Sequence, residues 1–405
     1  MTPRDDYARF KHALAGRRLP CAVVDGDAFE RNVDRLVAPI ERAGKRLRIA
    51  TKSLRCPALV RRVAERARAA YGGVMTYTAA ESAWWIEHGE RDVLLAYPTL
   101  QRADLDDLAR ANRVAGATCA VVVDDVAQVD AIATAARAAR AVVPVVVDLD
   151  VSWRPLGGAL HVGVRRSPVH DAPAAVALAA AIAASDGVRF HGVMAYDAQI
   201  AGVTDAGPFQ RWQNGARRAI KHRSRGAVER ARAEVARDLR DSGWPPAIFN
   251  GGGTGSLAWS AADPTLTEVT VGSGFLGPHL FDYYADVEVE AAAYFALQVV
   301  RRPAPRVVTC HGGGYIASGA AGDDRLPRPA LPAGCSLLPL EGAGEVQTPL
   351  ALADGVELAL GDPVLFRHAK AGELAEHFES YAIVRGDRVV EEVPTWRGMG
   401  TCFLG

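Results

Sequence analysis

The stretch LRIATKSLRC, residues 47–56, places an apolar run directly before Thr51, Lys52 and Ser53. A short run of this kind, bounded by polar residues, is typical of a buried strand. Burial of a charged lysine costs free energy unless the charge is paired or lost. A lysine at the end of a buried strand therefore needs a chemical reason. The pattern of the surrounding sequence predicts the fold, and the fold shows what that reason can be.

Seven further runs rich in β-branched residues follow this strand, with Ala-, Arg- and Glu-rich stretches between most of them. The strands are predicted at 48–53, 73–78, 92–97, 119–124, 143–150, 188–196, 246–252 and 267–274. Helices are predicted at 57–70, 79–88, 101–113, 125–140, 172–185 and 226–242. Eight such units predict an α/β fold, a (β/α)8 TIM-like barrel. An open doubly wound sheet is the alternative, but no topological break is evident in the pattern.

The two ends of the chain have a different sequence pattern, in which predicted strands are separated by Gly, Pro and Asp turns. CAVVD (21–25) reads as a strand before a helix, with Asp27 as its N-cap, and RGDRV (385–389) reads as a hairpin turn. We predict a barrel over 26–284 and a C-terminal β-rich domain formed by 1–25 plus 285–405. The Gly- and Pro-rich segment 312–334 is predicted to be a long ordered loop.

Composition excludes several classes of function. The 405 residues hold 47 basic and 47 acidic side chains, so net charge indicates no nucleic-acid or membrane-surface partner. No apolar signal core or membrane-length run occurs. The six cysteines form no CxxC pair, which predicts neither a zinc ribbon nor a disulfide framework and favours the cytoplasm.

Lys52 falls where barrel enzymes carry their chemistry, at the C-terminal end of a strand. A lysine in a poorly solvated site has a lowered pKa and can form a Schiff base. The alternative is a structural lysine whose stem packs while its charge reaches water.

FNGGGTGSLAW (249–259) follows the seventh predicted barrel strand. Amides of Gly253, Thr254, Gly255 and Ser256 can hold a phosphate there, and barrels often bind phosphate after strands seven and eight. VGSGFLG (271–277), with Ser273 and Gly274, follows the eighth strand. A plain glycine-rich turn is the alternative. A lysine and a phosphate site on one barrel mouth together suggest pyridoxal 5′-phosphate (PLP).

Nearly the whole chain resembles fold-type III PLP enzymes of the alanine racemase-like superfamily. The resemblance is greatest to the D-threonine aldolase and D-serine dehydratase branch, and within it to a subset described as amino acid deaminase/aldolase. It is carried by TKSLRC (51–56), VMAYDAQIAG (193–202), GGGTGS (251–256), CHGGGYIASG (310–319), EGAGEVQTPL (341–350) and FRHAKAGELAEHF (366–378).

The resemblance implies a role for particular residues in holding the cofactor. Lys52 matches the lysine that forms the Schiff base, and Gly253, Thr254 and Gly255 match the phosphate-binding turn. The implied remaining cofactor neighbours are Arg154, Tyr196 and Gln199, with Gln199 standing where relatives often have histidine.

The resemblance also implies a divalent metal, and here the chain departs from the pattern. Relatives carry His-x-Cys or His-x-Asp in the second domain, whereas this chain reads His368-Ala369-Lys370. A protonated lysine cannot ligate a metal, so either the metal is absent or Glu373 or His377 replaces the ligand. We hypothesise that the Lys370 ammonium takes the metal's place near the substrate; a structural His368 and an exposed Lys370 are the alternative.

His311 and Tyr315 in CHGGGY could supply an acid or base from the second domain, or lie in an incidental linker. In relatives the partner subunit often completes the site, which implies a homodimer. The basic run 217–225 is predicted to be an exposed face or a flap, and the role of the 197–225 insertion stays open.

The predicted function is a PLP-dependent lyase for a small D-configured or β-hydroxy amino acid. Its reaction is retro-aldol cleavage of the Cα–Cβ bond, with Lys52 as Schiff base and His368 as the base on the hydroxyl. Dehydration with deamination and racemisation are the alternatives, since one site geometry permits all three. A non-catalytic PLP-binding protein is disfavoured by the long second domain.

Overall fold

The computed structural model describes residues 3–404. It begins with helix α1 (Pro3–Ala13), strand β1 (Cys21–Asp25) and helix α2 (Gly26–Arg42). Asp25 is the N-cap of α2, because its carboxylate accepts hydrogen bonds from the amides of Asp27 and Ala28, both 3.1 Å long. The prediction of Asp27 as the cap is wrong: the last strand residue already turns its side chain toward these free amides.

The next eight strands are parallel and close into a barrel, which confirms the predicted fold. They are β2 (Arg46–Ala50), β3 (Tyr71–Thr76), β4 (Asp92–Leu95), β5 (Thr118–Val123), β6 (Val143–Asp148), β7 (Val188–Ala195), β8 (Ile248–Gly251) and β9 (Glu268–Val271). Buried valines dominate the strands, as expected for strands covered on both faces.

Helices follow the strands on the outside of the barrel. They are α3 (Pro57–Ala67), α4 (Ala79–Glu87), α5 (Arg102–Ala111), α6 (Val126–Ala139), α7 (Ala172–Ala183), α8 (Ala198–Ala201), α9 (Asn214–Asp241) and α10 (Leu257–Ala262). The basic run 217–225 lies within α9, which is longer than the predicted 226–242.

A second, mostly antiparallel sheet of nine strands contains β1 and eight C-terminal strands. These are β10 (Ala293–Ala304), β11 (Val307–His311), β12 (Arg328–Leu331), β13 (Cys335–Leu337), β14 (Gln347–Leu352), β15 (Pro363–Arg367), β16 (Ser380–Arg385) and β17 (Arg388–Pro394). Strand β1 pairs with both β10 and β16, and a Gly386-Asp387 turn joins β16 to β17. The predicted loop 312–334 contains β12, so only its first part is irregular.

The second domain touches the barrel at the end of β2. Gly372 has a φ of +89°, and a Cβ atom there would lie 1.9 Å from the carbonyl oxygen of Lys52. Arg55 pairs with Glu376 at 2.6 Å, and its carbonyl accepts the Trp396 amide at 2.9 Å. These contacts fix the loop 369–373 over the barrel mouth.

None of the helices within residues 3–404 combines the length and the apolar character that a membrane crossing requires.

Candidate active site

A cavity of about 590 Å³ lies between the C-terminal ends of the barrel strands and the loops of the second domain. Most of its lining comes from residues that directly follow β2, β7, β8 and β9, together with residues 318–325 and 369–373. Its volume is in the range of small-molecule and cofactor sites. The cavity therefore has two walls, which we call the barrel wall and the second-domain wall.

Lys52 stands on the barrel wall, in the 3-10 turn Thr51–Ser53 that ends β2. Its Nζ lies 4.2 Å from the centroid of the Tyr77 ring, and solvent in the cavity reaches the side chain. Desolvation by the surrounding protein lowers the pKa of Lys52 to about 8, with help from the positive charges of Arg166 and Lys370. A substantial fraction of the amine is therefore neutral and nucleophilic near neutral pH.

The turn that carries Lys52 is supported from behind by buried hydrogen bonds. The Thr51 hydroxyl lies 2.9 Å from the Met75 carbonyl and also bonds the carboxyl group of Glu81. The Tyr77 amide donates to the same carboxyl at 3.0 Å. Burial raises the pKa of Glu81 to about 7, so this carboxyl is only partly ionised near neutral pH.

The loop after β8, a strand separated from β2 by β9 alone, adds Gly253, Thr254 and Gly255 to the barrel wall. No acceptor within residues 3–404 receives a hydrogen bond from these three amides. A Cβ atom on Gly255 would lie 2.1 Å from the Ala201 carbonyl oxygen and 2.7 Å from the Tyr284 ring. Only glycine permits this approach, which leaves backbone amides available to an anion in the cavity.

The loop that follows β9 forms the neighbouring part of the barrel wall. Ser273 lines the cavity, whereas Gly274 and Ser256 lie behind the wall. The Gly274 amide donates to the Thr254 hydroxyl at 3.1 Å, and Ser256 Oγ lies 3.1 Å from Ser260 Oγ. Of the four, Ser256 and Gly274 thus support the loop, and Ser273 and Thr254 reach the cavity.

A buried charge that no sequence motif indicates holds this loop in place. Arg232, fully buried on α9, donates to the Ala195 carbonyl at 2.7 Å and pairs with Asp197 and Asp263 at 2.7 and 2.9 Å. Asp197 also accepts the Gly252 amide at 2.9 Å. Arg232 therefore ties the ends of β7 and β8 to one helix. Arg232 lies in a helical stretch rich in charged residues, and nothing in the neighbouring sequence distinguishes it from a solvent-exposed arginine.

The predicted cofactor neighbours divide into those on the cavity and those behind it. Tyr196 lines the cavity. Arg154 does not; it bonds Asp150 at 2.6 Å, and Gln199 is buried against the Val151 carbonyl at 2.8 Å. Arg166, from the same loop as Arg154, lines the cavity instead, with its guanidinium 5.4 Å from the Tyr196 ring centroid. Three arginines, Arg154, Arg165 and Arg166, follow β6 in the sequence, and only the path of the loop decides which of them lines the cavity.

The second-domain wall carries Ser318, Arg325, Lys370 and Glu373. Lys370 Nζ lies 2.8 Å from Ser318 Oγ and 3.4 Å from a Glu373 oxygen. The Ser318 amide also donates to Glu373 at 2.8 Å, and hydrogen bonds to Ser318 keep the pKa of Glu373 below its usual value against the desolvation that opposes it. Lys370 is therefore held by partners rather than free in solvent.

The other three predicted catalytic residues do not line this cavity. His368 is buried, neither ring nitrogen has a hydrogen-bond partner within residues 3–404, and desolvation lowers its pKa to about 3. His311 is exposed on β11, opposite Gln347 of β14. Tyr315 packs against Phe295 and His377, with ring centroids 4.9 and 4.5 Å away.

The donors around His368 do not fit a divalent metal. Lys370 stands at the second ligand position and pairs with Glu373, and no group of three His, Cys, Asp or Glu side chains within residues 3–404 has metal-binding proximity. The six cysteines are all free thiols, and three of them are buried.

Fold and site together define a two-domain barrel protein whose cavity, beneath the second domain, is lined by a lysine of lowered pKa and by a glycine loop with amides that are unpaired in the described part of the chain. The sequence matches the family described as "Alanine racemase, N-terminal domain" over residues 24–279, and the chain belongs to that family.

Individual relatives extend this finding. The chain is 28% identical over 306 residues to a D-threonine aldolase of Arthrobacter sp, covering 74% of this chain and 73% of the relative. It is 29% identical over 255 residues to a 3-hydroxy-D-aspartate aldolase of Paracoccus denitrificans, covering 63% and 59%. The D-threonine aldolase structure from Filomicrobium marinum superposes with a TM-score of 0.79 at 26% identity, covering 94% of this chain and 95% of that one.

Proposed function

We propose that the protein is a PLP-dependent lyase that cleaves the Cα–Cβ bond of a D-configured or β-hydroxy amino acid. One observation carries the proposal: the Lys52 amine and the amides of Gly253, Thr254 and Gly255 line the same cavity. An amine that can become neutral and a cluster of free amides are the two anchors that PLP requires.

The residues present fit the cofactor. Lys52 would hold the PLP aldehyde carbon, because its pKa of about 8 makes the amine available as a nucleophile. The glycine loop would hold the phosphate, because the close approach at Gly255 leaves no room for a side chain there. Tyr196 and Arg166 would border the ring, because both line the cavity, Tyr196 next to Gly253 and Arg166 close enough to Lys52 to lower its pKa.

Bound PLP withdraws electrons from the Cα atom of an attached amino acid, and this allows a bond at Cα to break. Lys52, whose lowered pKa leaves part of its amine neutral, would also serve as a base on the cavity wall whenever it is not bonded to the cofactor. Taking the proton of the β-hydroxyl favours Cα–Cβ cleavage, whereas taking the α-proton favours dehydration. Lys370, held by Ser318 and Glu373, supplies a fixed positive charge for the substrate's oxygen atoms.

A base role for His368 stays a prediction. Its low pKa keeps the imidazole neutral but also makes it a weak base, and the ring is buried and does not line the cavity. Proton transfer to His368 would need movement of the 368–371 segment. His311 and Tyr315 would likewise need movement, or a substrate that reaches beyond the cavity.

Cleavage is preferred over dehydration and racemisation because the relatives reported above are named as aldolases, one for D-threonine and one for 3-hydroxy-D-aspartate.

A homodimer also belongs to the proposal. The loop that carries Arg166 exposes Leu156, Leu160 and Val164 at the mouth end of β6, and exposed apolar patches often mark interfaces. Light scattering in solution tests this: a monomer at working concentrations contradicts it.

The proposal is tested with purified protein and four candidate substrates: D-threonine, D-serine, phenylserine and α-methylserine. We expect the absorption band of lysine-bound PLP and release of an aldehyde together with an amino acid. Ammonia and a keto acid instead would identify a dehydratase, and a protein without the band even after incubation with PLP would contradict the cofactor assignment.

A further inference from the structure

The charge of the cavity wall is strongly unbalanced. Five cationic side chains line it, and Glu373 is the one carboxylate among the described lining residues. The cations are Lys52, Arg55, Arg166, Arg325 and Lys370. A cavity with this excess of positive charge attracts anions and disfavours neutral or cationic occupants.

Most of these cations have a partner or a role. Lys52 anchors the cofactor in the proposed function. Arg55 pairs with Glu376 at 2.6 Å and donates to the Lys52 carbonyl at 3.1 Å. Lys370 is bonded to Ser318 and lies 3.4 Å from Glu373. Arg166 lies on the barrel wall beside Tyr196; its nearest described carboxylate, that of Asp148, is 3.8 Å away, too far for a hydrogen bond, so this guanidinium is available to an anion on that wall.

Arg325 is the corresponding cation of the second-domain wall, unpaired among the described residues. Its nearest carboxylate within residues 3–404 is that of Asp324, at 3.7 Å, which is too long for a hydrogen bond. Its Nε is buried without a hydrogen-bond partner, and its side chain is only 23% exposed. A half-buried guanidinium with unmet donors costs free energy unless a ligand satisfies it.

The surroundings of Arg325 leave room for such a ligand. Gly319 borders the guanidinium and also lines the cavity; a Cβ atom there would lie 3.4 Å from Arg325 Nε. Arg325 lies on the second-domain wall, whereas the free amides of the glycine loop lie on the barrel wall. If the free amides of the glycine loop hold the phosphate and Arg166 and Lys370 serve the single α-carboxylate of an amino acid, Arg325 is left for a further anionic group.

We propose that Arg325 binds a second carboxylate, so that the substrate is an acidic β-hydroxy amino acid of the 3-hydroxyaspartate class. This inference rests on the proposed function, because it names the substrate of that same site. The planar fork of arginine matches a carboxylate with two parallel hydrogen bonds, which a monocarboxylic substrate cannot supply at this position.

The test compares D-configured 3-hydroxyaspartate with D-threonine in the holoenzyme. We expect kcat/KM to be higher for the dicarboxylic substrate. Arg325→Gln should lower kcat/KM for 3-hydroxyaspartate roughly 10- to 100-fold, the size of a lost charged hydrogen bond, and change D-threonine cleavage less than about threefold. Arg325→Lys should recover part of the loss. Arg388→Gln, which removes an exposed arginine of β17, is the matched control and should change neither substrate.

A binding measurement separates this inference from the proposed reaction. Calorimetry with D-aspartate and D-alanine, which lack the hydroxyl, should show tighter binding of D-aspartate that Arg325→Gln abolishes. An equal loss for both ligands would assign Arg325 to the α-carboxylate and overturn the inference, as would no loss. If the enzyme cleaves D-threonine and shows no preference for acidic substrates, the inference about Arg325 is overturned and the proposed function is intact. If the protein binds acidic ligands more tightly but cleaves no substrate, the proposed function is contradicted and the binding role of Arg325 is intact.

Discussion

The two walls of the cavity are built in different ways. The barrel wall consists of strand ends and backbone groups: Lys52 lies in the turn that follows β2, and Gly253, Thr254 and Gly255 lie in the loop that follows β8. The second-domain wall consists of side chains on irregular segments, with Arg325 and Lys370 as its cations. The barrel wall presents the groups that suit a cofactor, and the second-domain wall presents the groups that select what reacts with it.

This difference predicts how each wall responds to change. Substitutions on the barrel wall should affect retention of PLP and therefore all substrates. Substitutions on the second-domain wall should leave PLP in place and change pH dependence or substrate choice. The following predictions test this division.

The largest expected effect is that of Lys52→Ala, which removes the covalent anchor. We expect loss of the lysine-bound PLP band and a decrease in kcat/KM of at least about a thousandfold, as for other covalent catalytic groups. Lys11→Ala, at an exposed lysine of α1, is the control and should retain both. A Lys52→Ala protein that keeps the band contradicts the assignment of the barrel wall.

Arg232→Met should have the next largest effect. It would leave Asp197 and Asp263 buried without their partner, and breaking a buried pair in this way costs about 3–5 kcal/mol. Chemical denaturation measures the loss, and the affinity for PLP should fall with it because Asp197 also holds the Gly252 amide. Arg237→Met on the same helix removes an exposed pair and should cost less than about 1 kcal/mol. Equal losses for the two variants would contradict this role.

Gly255→Ala should weaken PLP binding by displacing the glycine loop. The added Cβ would collide with the Ala201 carbonyl and the Tyr284 ring, and overpacking of this kind costs about 1–3 kcal/mol, roughly 5- to 150-fold in affinity. Gly215→Ala on α9 is the control, since a Cβ atom there meets nothing within 4 Å. Equilibrium dialysis of PLP against both variants provides the comparison. An unchanged affinity of Gly255→Ala for PLP would contradict the role of the glycine loop in binding the phosphate.

Lys370→Met tests the second-domain wall and should have the smallest effect on the cofactor. The Lys370 charge lowers the pKa of Lys52, so its removal raises that pKa above about 8. Capture of PLP by the apoprotein requires the neutral amine, and its pH midpoint should therefore move to higher pH in the variant. The rate of PLP capture across pH measures this. A midpoint that stays or moves down would show that the two walls do not interact electrostatically.

The same division explains what the sequence could predict. The eight barrel strands are short apolar runs with local periodicity, and the resemblance places Lys52 and the Gly-Thr-Gly turn at their ends, where the structure has them. Strand ends of a closed barrel converge on one mouth, so these residues meet without further information.

Arg166, Arg325 and Arg232 could not be predicted in the same way. Arg166 and Arg154 share one loop, and only the loop's path brings Arg166 to the cavity. Arg325 lies more than 250 residues from Lys52 in the sequence, in a Gly- and Pro-rich segment without periodicity. The burial of Arg232 depends on Asp197 and Asp263, which come from two other segments. Tertiary contacts decide each of these positions.

The most direct test of the central claim is to locate the bound cofactor chemically. The holoprotein is treated with borohydride, which fixes PLP to the lysine that holds it, and the peptides are identified by mass spectrometry. The chain has only five lysines: Lys11, Lys45, Lys52, Lys221 and Lys370. The label is expected on the peptide containing Lys52. A label on Lys370 or another lysine, or none after incubation with PLP, would contradict the assignment.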